Sequence, residues 1–302
     1  MKVQMKNPGL VIASHGRHVM VEAPDGSRLL CHPRGKKNQA VVGDRVQWLP
    51  SGDEGSIEAI EPRRNLFYRQ DEIRTKSFAA NLDLLLVLIA AEPEFSQEQL
   101  TRALIAAEAE GIAPLIVLNK QDLGAAFDLA WERLQPYRRM GYEVLPLSLK
   151  ESTSTPGLQT IVERLQGRTT LVLGPSGAGK SSLINRLVPD AGATTGELSV
   201  ALQSGRHTTT TTTWYWVDRV HATALIDSPG FQAFGLHHIE PTALAGLMPD
   251  LRAHSGECRF YNCSHLHEPG CQVQQAVANG DITETRYRLY RQLHDELSRP
   301  SY

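Results

Sequence analysis

The feature that most limits what this chain can fold into is the octapeptide Gly174-Pro175-Ser176-Gly177-Ala178-Gly179-Lys180-Ser181. It fits G-x-x-x-x-G-K-[ST], a loop whose glycines let backbone N–H groups turn inward around phosphate oxygens. Such a loop works only between a strand and a helix. Thr169–Leu173 reads as the strand and residues 180–188 read as the helix. The positive end of that helix dipole adds to the anion site. Lys180 is expected to reach the β- and γ-phosphates, and Ser181 to ligate Mg²⁺, with Ser182 completing the phosphate-binding set. The plain alternative is a glycine-rich turn with an incidental lysine, and the flanking strand and helix argue against it.

The surrounding texture is that of an α/β layer. Leu82–Ala91, Pro114–Leu118 and Glu143–Leu147 read as strands; Phe95–Glu110, Phe127–Arg139 and Leu158–Gln166 have helical spacing. Strands alternating with helices imply a mostly parallel sheet with right-handed crossovers. Two further strand-like runs, Thr213–Val220 and Ala222–Ile226, lead to a turn at Asp227. The longest apolar run, Leu84 to Ala91, is far short of the roughly 18 residues of a membrane span. The start, Met1-Lys2-Val3-Gln4-Met5-Lys6, leads into no signal-peptide core. A cytoplasmic location is expected.

Three more loops follow strand ends. In Asn119-Lys120-Gln121-Asp122 the carboxylate suits guanine, because it can accept from both N1–H and the 2-amino group. Asn119 can contact the other purine edge and the Lys120 stem can pack on the ring. Ser148-Leu149-Lys150 fits a second loop closing over the base. Asp227-Ser228-Pro229-Gly230 places a carboxylate where it can hold Mg²⁺ through water, with the Gly230 N–H near a γ-phosphate. Each is a weak signal alone, since polar loops often follow strands. Their order is informative. Ordinary GTPases begin with the phosphate loop and end with the guanine loop, whereas here residues 119–122 and 148–150 precede residues 174–181. All still sit at strand ends, so all can line one crevice. A circular permutation is the simplest reading.

Both ends differ from this middle. Residues 1–62 carry short β-rich runs, Leu10–Ala13, His18–Glu22, Arg28–His32, Ala40–Trp48 and Ser56–Ile60, broken by turn dipeptides such as Asp25-Gly26. Five short strands suit a small closed barrel, an OB-fold first and an SH3-like barrel second. Residues 1–80 hold 13 Lys and Arg against 9 Asp and Glu, while the chain as a whole has a net charge of −2. That asymmetry suits an anionic partner as well as it suits ordinary surface charge. Arg34, Lys36 and Lys37 concentrate it in one loop, as candidate RNA-phosphate contacts. Residues 63–81 read as a polar, basic connector. From about Phe234 the chain reads as helices, Pro241–Met248, Gln272–Ala278 and Thr283–Ser298, flanking a cysteine cluster. Cys258-x₄-Cys263-x-His265-x₅-Cys271 supplies three thiolates and an imidazole, a set suited to tetrahedral, structural Zn²⁺. Unpaired buried cysteines are the plain alternative, and His267 could substitute for His265.

With these features assembled, the chain resembles the circularly permuted GTPases that bind the small ribosomal subunit during its maturation, the RsgA (YjeQ-like) type. The resemblance extends over essentially the whole chain. It includes the connector Pro62-Arg63-Arg64-Asn65 to Ala79-Ala80-Asn81-Leu82-Asp83, Gly205-Arg206-His207-Thr208-Thr209-Thr210 and Asp227-Ser228-Pro229-Gly230-Phe231. It implies a multidomain α/β protein: an OB-like barrel (1–66), a circularly permuted P-loop GTPase domain (67–233) and a helical zinc-binding module (234–302). It also implies GTP hydrolysis to GDP and phosphate, timed by small-subunit contact. The rivals are a GTP-regulated protein acting on a non-ribosomal RNA and a nucleotide-binding module with incidental hydrolysis. A monomer is expected.

Within that frame a Thr between the phosphate loop and Asp227 should ligate Mg²⁺ and sense the γ-phosphate. Thr209 is the first choice in the run Thr208–Thr213, Thr208 the second. The water-orienting Gln that follows D-x-x-G in many GTPases is replaced by Phe231, so intrinsic hydrolysis should be slow, with His207 or a partner placing the water.

Overall fold

The computed structural model describes residues 6–15, 18–33, 39–72, 74–150, 156–192, 211–228 and 234–299. Five strands form the front: β1 (Asn7–His15), β2 (His18–Glu22), β3 (Arg28–Pro33), β4 (Arg45–Ser51) and β5 (Glu54–Ile60). Their order is β1-β2-β3-β5-β4, and β4 pairs back onto β1, so the barrel closes. β3 and β5 are parallel while the other barrel pairs are antiparallel. That pairing is the OB arrangement and excludes the SH3-like alternative. Side chains alternate faces along a strand, and Val11, Val19, Val21, Cys31, Val46 and Ile57 accordingly fill the interior. The strand expected over Ala40–Trp48 begins only at Arg45, because the Asp44 carboxylate accepts from the Val41 N–H at 2.8 Å and turns the chain.

The stretch read as a connector is a hairpin, β6 (Leu66–Gln70) and β7 (Thr75–Ala80), forming its own two-stranded sheet. Its basic residues mask an apolar face: Phe67, Phe78, Ala79 and Ala80 are buried. Arg63 and Arg64 are structural, Arg63 on Asp44 (2.7 Å) and Arg64 on Asp83 (2.7 Å).

The central layer holds β8 (Leu84–Ala90), α1 (Gln97–Ala109), β9 (Ala113–Asn119), α2 (Ala125–Arg133), α3 (Gln135–Arg139), β10 (Glu143–Pro146), α4 (Pro156–Leu165), β11 (Thr169–Leu173) and α5 (Lys180–Leu187). β12 (Thr213–Asp218) and β13 (Thr223–Asp227) complete it. The strand order is β10-β9-β8-β11-β13-β12; all are parallel except β12. β8 is buried throughout, and its alternate residues serve two cores. Leu85, Val87 and Ile89 pack with α1, and Leu84, Leu86 and Leu88 pack with α4 and α5. The helix expected over Phe127–Arg139 is two helices, breaking at Leu134 just before Pro136, which cannot sit in a helix interior. Ser96 caps α1, its Oγ accepting from the Gln99 N–H at 3.2 Å, a contact of about 1 kcal/mol. The barrel joins this layer edge to edge: Ala13 of β1 pairs with Thr213 of β12, making one 11-stranded sheet.

The chain then runs through a 3-10 turn (Pro241–Leu247), α6 (Pro249–Ser255), α7 (Gln272–Asn279) and α8 (Glu284–Leu297). α6 is too short, and too polar in sequence, to show a period. Leu244, Met248, Leu251, Val273 and Leu293 join the core that contains α1. No helix among the described residues is long and apolar enough to cross a membrane.

Candidate nucleotide site and metal cluster

Parallel strands end together, so the loops that leave them meet. Register aligns Ala90 with Asn119, Leu118 with Pro146, and Val172 with Asp227. The phosphate loop leaves β11 and enters α5 with Gly179 at φ 104°, in the left-handed region. A Cβ on Gly174 would lie 2.0 Å from the Leu88 carbonyl oxygen, so only glycine fits between β11 and β8. Lys180 Nζ donates to the carbonyls of Gly174 (2.7 Å) and Pro175 (3.1 Å), folding over its own loop. Burial lowers the Lys180 pKa, opposed by the charge of Asp227. Burial raises the Asp227 carboxyl to about 6, with Lys180 pulling it back. A buried carboxyl and a half-buried ammonium beside a glycine cradle form a site able to take both an anion and a cation. Ser228 is fully buried, and its Oγ donates to the Val172 carbonyl at 2.8 Å, fixing the end of β13.

The base loop is tied to the phosphate loop. Asn119 Nδ2 donates to the Ala178 carbonyl at 2.9 Å, while its Oδ1 is buried with no partner. Lys120 takes the left-handed conformation, φ 67°, and its Nζ donates to the Glu92 carbonyl. Asp122 accepts from Ser148 Oγ at 3.1 Å and pairs with Lys150 Nζ at 3.7 Å. The sequence-derived set Asn119, Lys120, Asp122, Ser148, Lys150, Gly174–Ser182 and Asp227 thus converges at one end of the sheet. Gly230, Phe231, His207 and Thr209 lie outside the described residues, as do Arg34, Lys36 and Lys37. Sequence reading did not pick out Glu92, which receives Lys120, or Arg186, whose Nη2 donates to the Leu149 carbonyl at 3.0 Å. The only signal for Arg186 was its place within the helix that the phosphate loop opens.

The second cluster is metal-binding in form. The ligand atoms of Cys258, Cys263, His265 and Cys271 all lie within 4.8 Å of one another. His265 Nδ1 is 3.5 Å from the sulfurs of both Cys258 and Cys271. Donors about 2.0–2.3 Å from one tetrahedral ion sit at such spacings. His267 is exposed and outside the cluster. The loop is shaped for this. His265 has φ 60°, Tyr287 and Tyr290 donate to the carbonyls of His265 (2.7 Å) and Ser264 (2.6 Å), and Glu268 gathers the N–H groups of Ser264, Leu266 and His267. Two thiols also cap α7: Cys271 Sγ accepts from Gln274 N–H and Cys258 Sγ from Gln272 N–H.

A glycine cradle on a parallel strand, an acidic neighbouring strand end and a base loop earlier in the chain define a P-loop nucleotide-binding protein with circularly permuted loops. The model of the RsgA GTPase family matches residues 60–237. The chain belongs to this family and is a GTPase. A small ribosomal subunit biogenesis GTPase of Variovorax paradoxus is 65% identical over 301 residues, covering 97% of this chain and 93% of that protein. Its counterpart in Burkholderia pseudomallei is 53% identical over 292 residues, covering 96% and 92%. Crystal structures agree. YjeQ from Thermotoga maritima superposes with a TM-score of 0.75 at 30% identity, covering 98% of this chain and all of that one. YloQ, a circularly permuted GTPase, gives 0.71 at 28% identity, covering 100% and 99%.

Proposed function

We propose that this GTPase acts in late maturation of the small ribosomal subunit, in the cytoplasm and as a monomer, and that the subunit stimulates its hydrolysis of GTP. The observation that carries this reading is near full-length similarity to proteins named for that role, 65% identical over 97% of the chain. In this reading residues 1–66 and 234–302 are arms that meet RNA and protein, with Arg34, Lys36 and Lys37 on phosphates. Residues 67–233 are the switch between them.

Guanine sits against Asp122, held by Ser148 and Lys150, and the buried Asn119 Oδ1 without a partner supports a ligand beside it. Gly174, Pro175, Ser176, Gly177, Ala178, Gly179, Lys180, Ser181 and Ser182 take the phosphates, and Gly230 touches the γ-phosphate. The oxygen donors Ser181, Thr209 and Asp227 fit Mg²⁺, which neutralises charge on the β- and γ-phosphates. Lys180 exchanges its two loop carbonyls for phosphate oxygens. Asp227 stays ionised at neutral pH, its carboxyl titrating at about 6. Thr209 senses the γ-phosphate and His207 places the water. Cys258, Cys263, His265 and Cys271 hold one structural Zn²⁺.

The test is GTP turnover with and without purified small subunits. A GTPase without an activator turns over at about 10⁻⁴ s⁻¹, and an activator adds up to roughly 10⁵-fold. Saturating subunits should raise the rate by orders of magnitude, and His207→Ala should lose most of that gain. A rate indifferent to subunits, or raised equally by an unrelated RNA, overturns the reading.

A further inference from the structure

We infer that Arg186 is a positioning residue for guanine recognition: it locks the base-closing loop to the helix that the phosphate loop opens. The inference rests on the reading that Asp122 takes the base.

Four hydrogen bonds and one apolar contact carry it. Leu147 N–H donates to the Leu118 carbonyl at 2.8 Å, and the Gln121 N–H donates to the Leu147 carbonyl at 3.0 Å. These bonds fix the upstream end of the closing loop to the β9 end. Ser148 Oγ then donates to Asp122 Oδ1 at 3.1 Å, and Ser148 is buried. One residue further on, Arg186 Nη2 reaches across from α5 and donates to the Leu149 carbonyl at 3.0 Å. The Leu149 side chain meets the phosphate loop there, with Cδ1 3.3 Å from where a Cβ on Gly179 would stand. A half-buried carbonyl held by a cationic donor is a firm anchor. It pins the segment between Ser148 and Lys150, the two residues that touch Asp122.

The base half and the phosphate half are thereby joined through space. In the chain they are separated by α4 and β11. Without the guanidinium, Leu149 is free to move from Gly179. Ser148 then loses its aim on Asp122, and Asp122 loses the orientation that lets it accept from both N1–H and the 2-amino group. Arg186 touches neither base nor phosphate in this scheme. It acts through Leu149.

The discriminating probe is inosine triphosphate, which lacks the 2-amino group and so reports how well Asp122 is aimed. GTP and ITP affinities and the GDP dissociation rate would be measured for wild type, Arg186→Ala and Arg186→Lys. Arg186→Ala should release GDP on the order of 10-fold faster and narrow the GTP-over-ITP preference several-fold. Arg186→Lys keeps a cationic donor and should recover part of both. If Arg186→Ala folds poorly, the Arg186→Lys ratio still decides: a preference intermediate between wild type and equality supports the role. Equal loss of GTP and ITP affinity, with the ratio unchanged, would make Arg186 a general structural residue and overturn the inference. A wild type that binds GTP and ITP alike would instead bring down the Asp122 reading, and this one with it.

Discussion

The central layer is joined on two sides, and the two joints are built differently. On the barrel side one strand pair, Ala13 with Thr213, carries the sheet across. Beside it Glu22 accepts from Trp216 Nε1 (2.8 Å), Arg219 (2.8 and 3.0 Å) and Arg28 (3.0 Å). The Glu22 carboxylate is 5% exposed, but Arg219 and Arg28 are 52% and 54% exposed. On the C-terminal side Arg286 (5% exposed) pairs with Asp250 (9%) and donates to Thr101 Oγ1 at 2.7 Å. Arg102 of α1 bridges to Glu296 of α8 and donates to the Phe234 carbonyl. Phe234 in turn stacks on Phe78 of the hairpin. The difference teaches which joint yields. Exposed cations lose little when a joint opens, whereas opening the C-terminal side takes from the buried Arg286, held by Asp250 of its own module, its bond to Thr101 and breaks the core shared with α1. The helical module is therefore tied to α1 through buried groups, whereas the barrel's ionic link to β12 lies half in water, although Ile12 and Val42 of the barrel also reach the core that contains α1.

The largest effect should come from breaking the metal cluster. Cys263→Ser should abolish stoichiometric zinc and expose the segment after residue 234 to protease, since structural zinc supplies on the order of 10 kcal/mol to small zinc modules. GDP binding should survive, because the side chains that tie the phosphate and base loops together, Asn119, Ser148 and Lys180, bond to partners outside the module. Zinc content near one per chain in the variant would contradict the cluster.

Next in size is Arg286→Ala. It leaves Asp250 buried without its cation, a change of about 3–5 kcal/mol, read as a drop in urea midpoint. A loss below about 1 kcal/mol would mean that the buried Arg286 group contributes no more than an exposed ion pair.

Glu22→Gln should cost least, about 1–2 kcal/mol, because its arginines are half in water. Burial pushes the Glu22 carboxyl up, but hydrogen bonds from Arg219, Trp216 and Arg28 outweigh it and leave the pKa below the ordinary 4.5. A depressed carboxyl stabilises the fold fully above that ordinary value, and the contribution fades as pH falls through the lower folded value. Acid should thus loosen the barrel joint in wild type, seen as a change in Trp216 fluorescence. The same acid step should be missing from Glu22→Gln. Identical acid curves would remove Glu22 from the joint.

The nucleotide loops were legible because each is a contiguous motif at a strand end, from Asn119–Asp122 to Gly174–Ser181. The Cys258–Cys271 cluster was legible because its four ligands fall within one short window between helices. The hairpin at residues 66–80 was not. Its two arginines and one lysine masked an apolar face that shows only once Phe67 and Phe78 meet Phe234. The OB topology was likewise undecided until β3 was seen beside β5.

Motif spacing by itself pointed to the proposed chemistry of the sites and determined the permuted loop order and the alternation of strands and helices. These are properties of neighbours along the chain. Tertiary structure alone decided how the barrel closes, which joint is buried and that Arg186 holds Leu149. Each of those depends on residues far apart in sequence, and local periodicity does not encode which distant partner a strand edge or a charged side chain will meet.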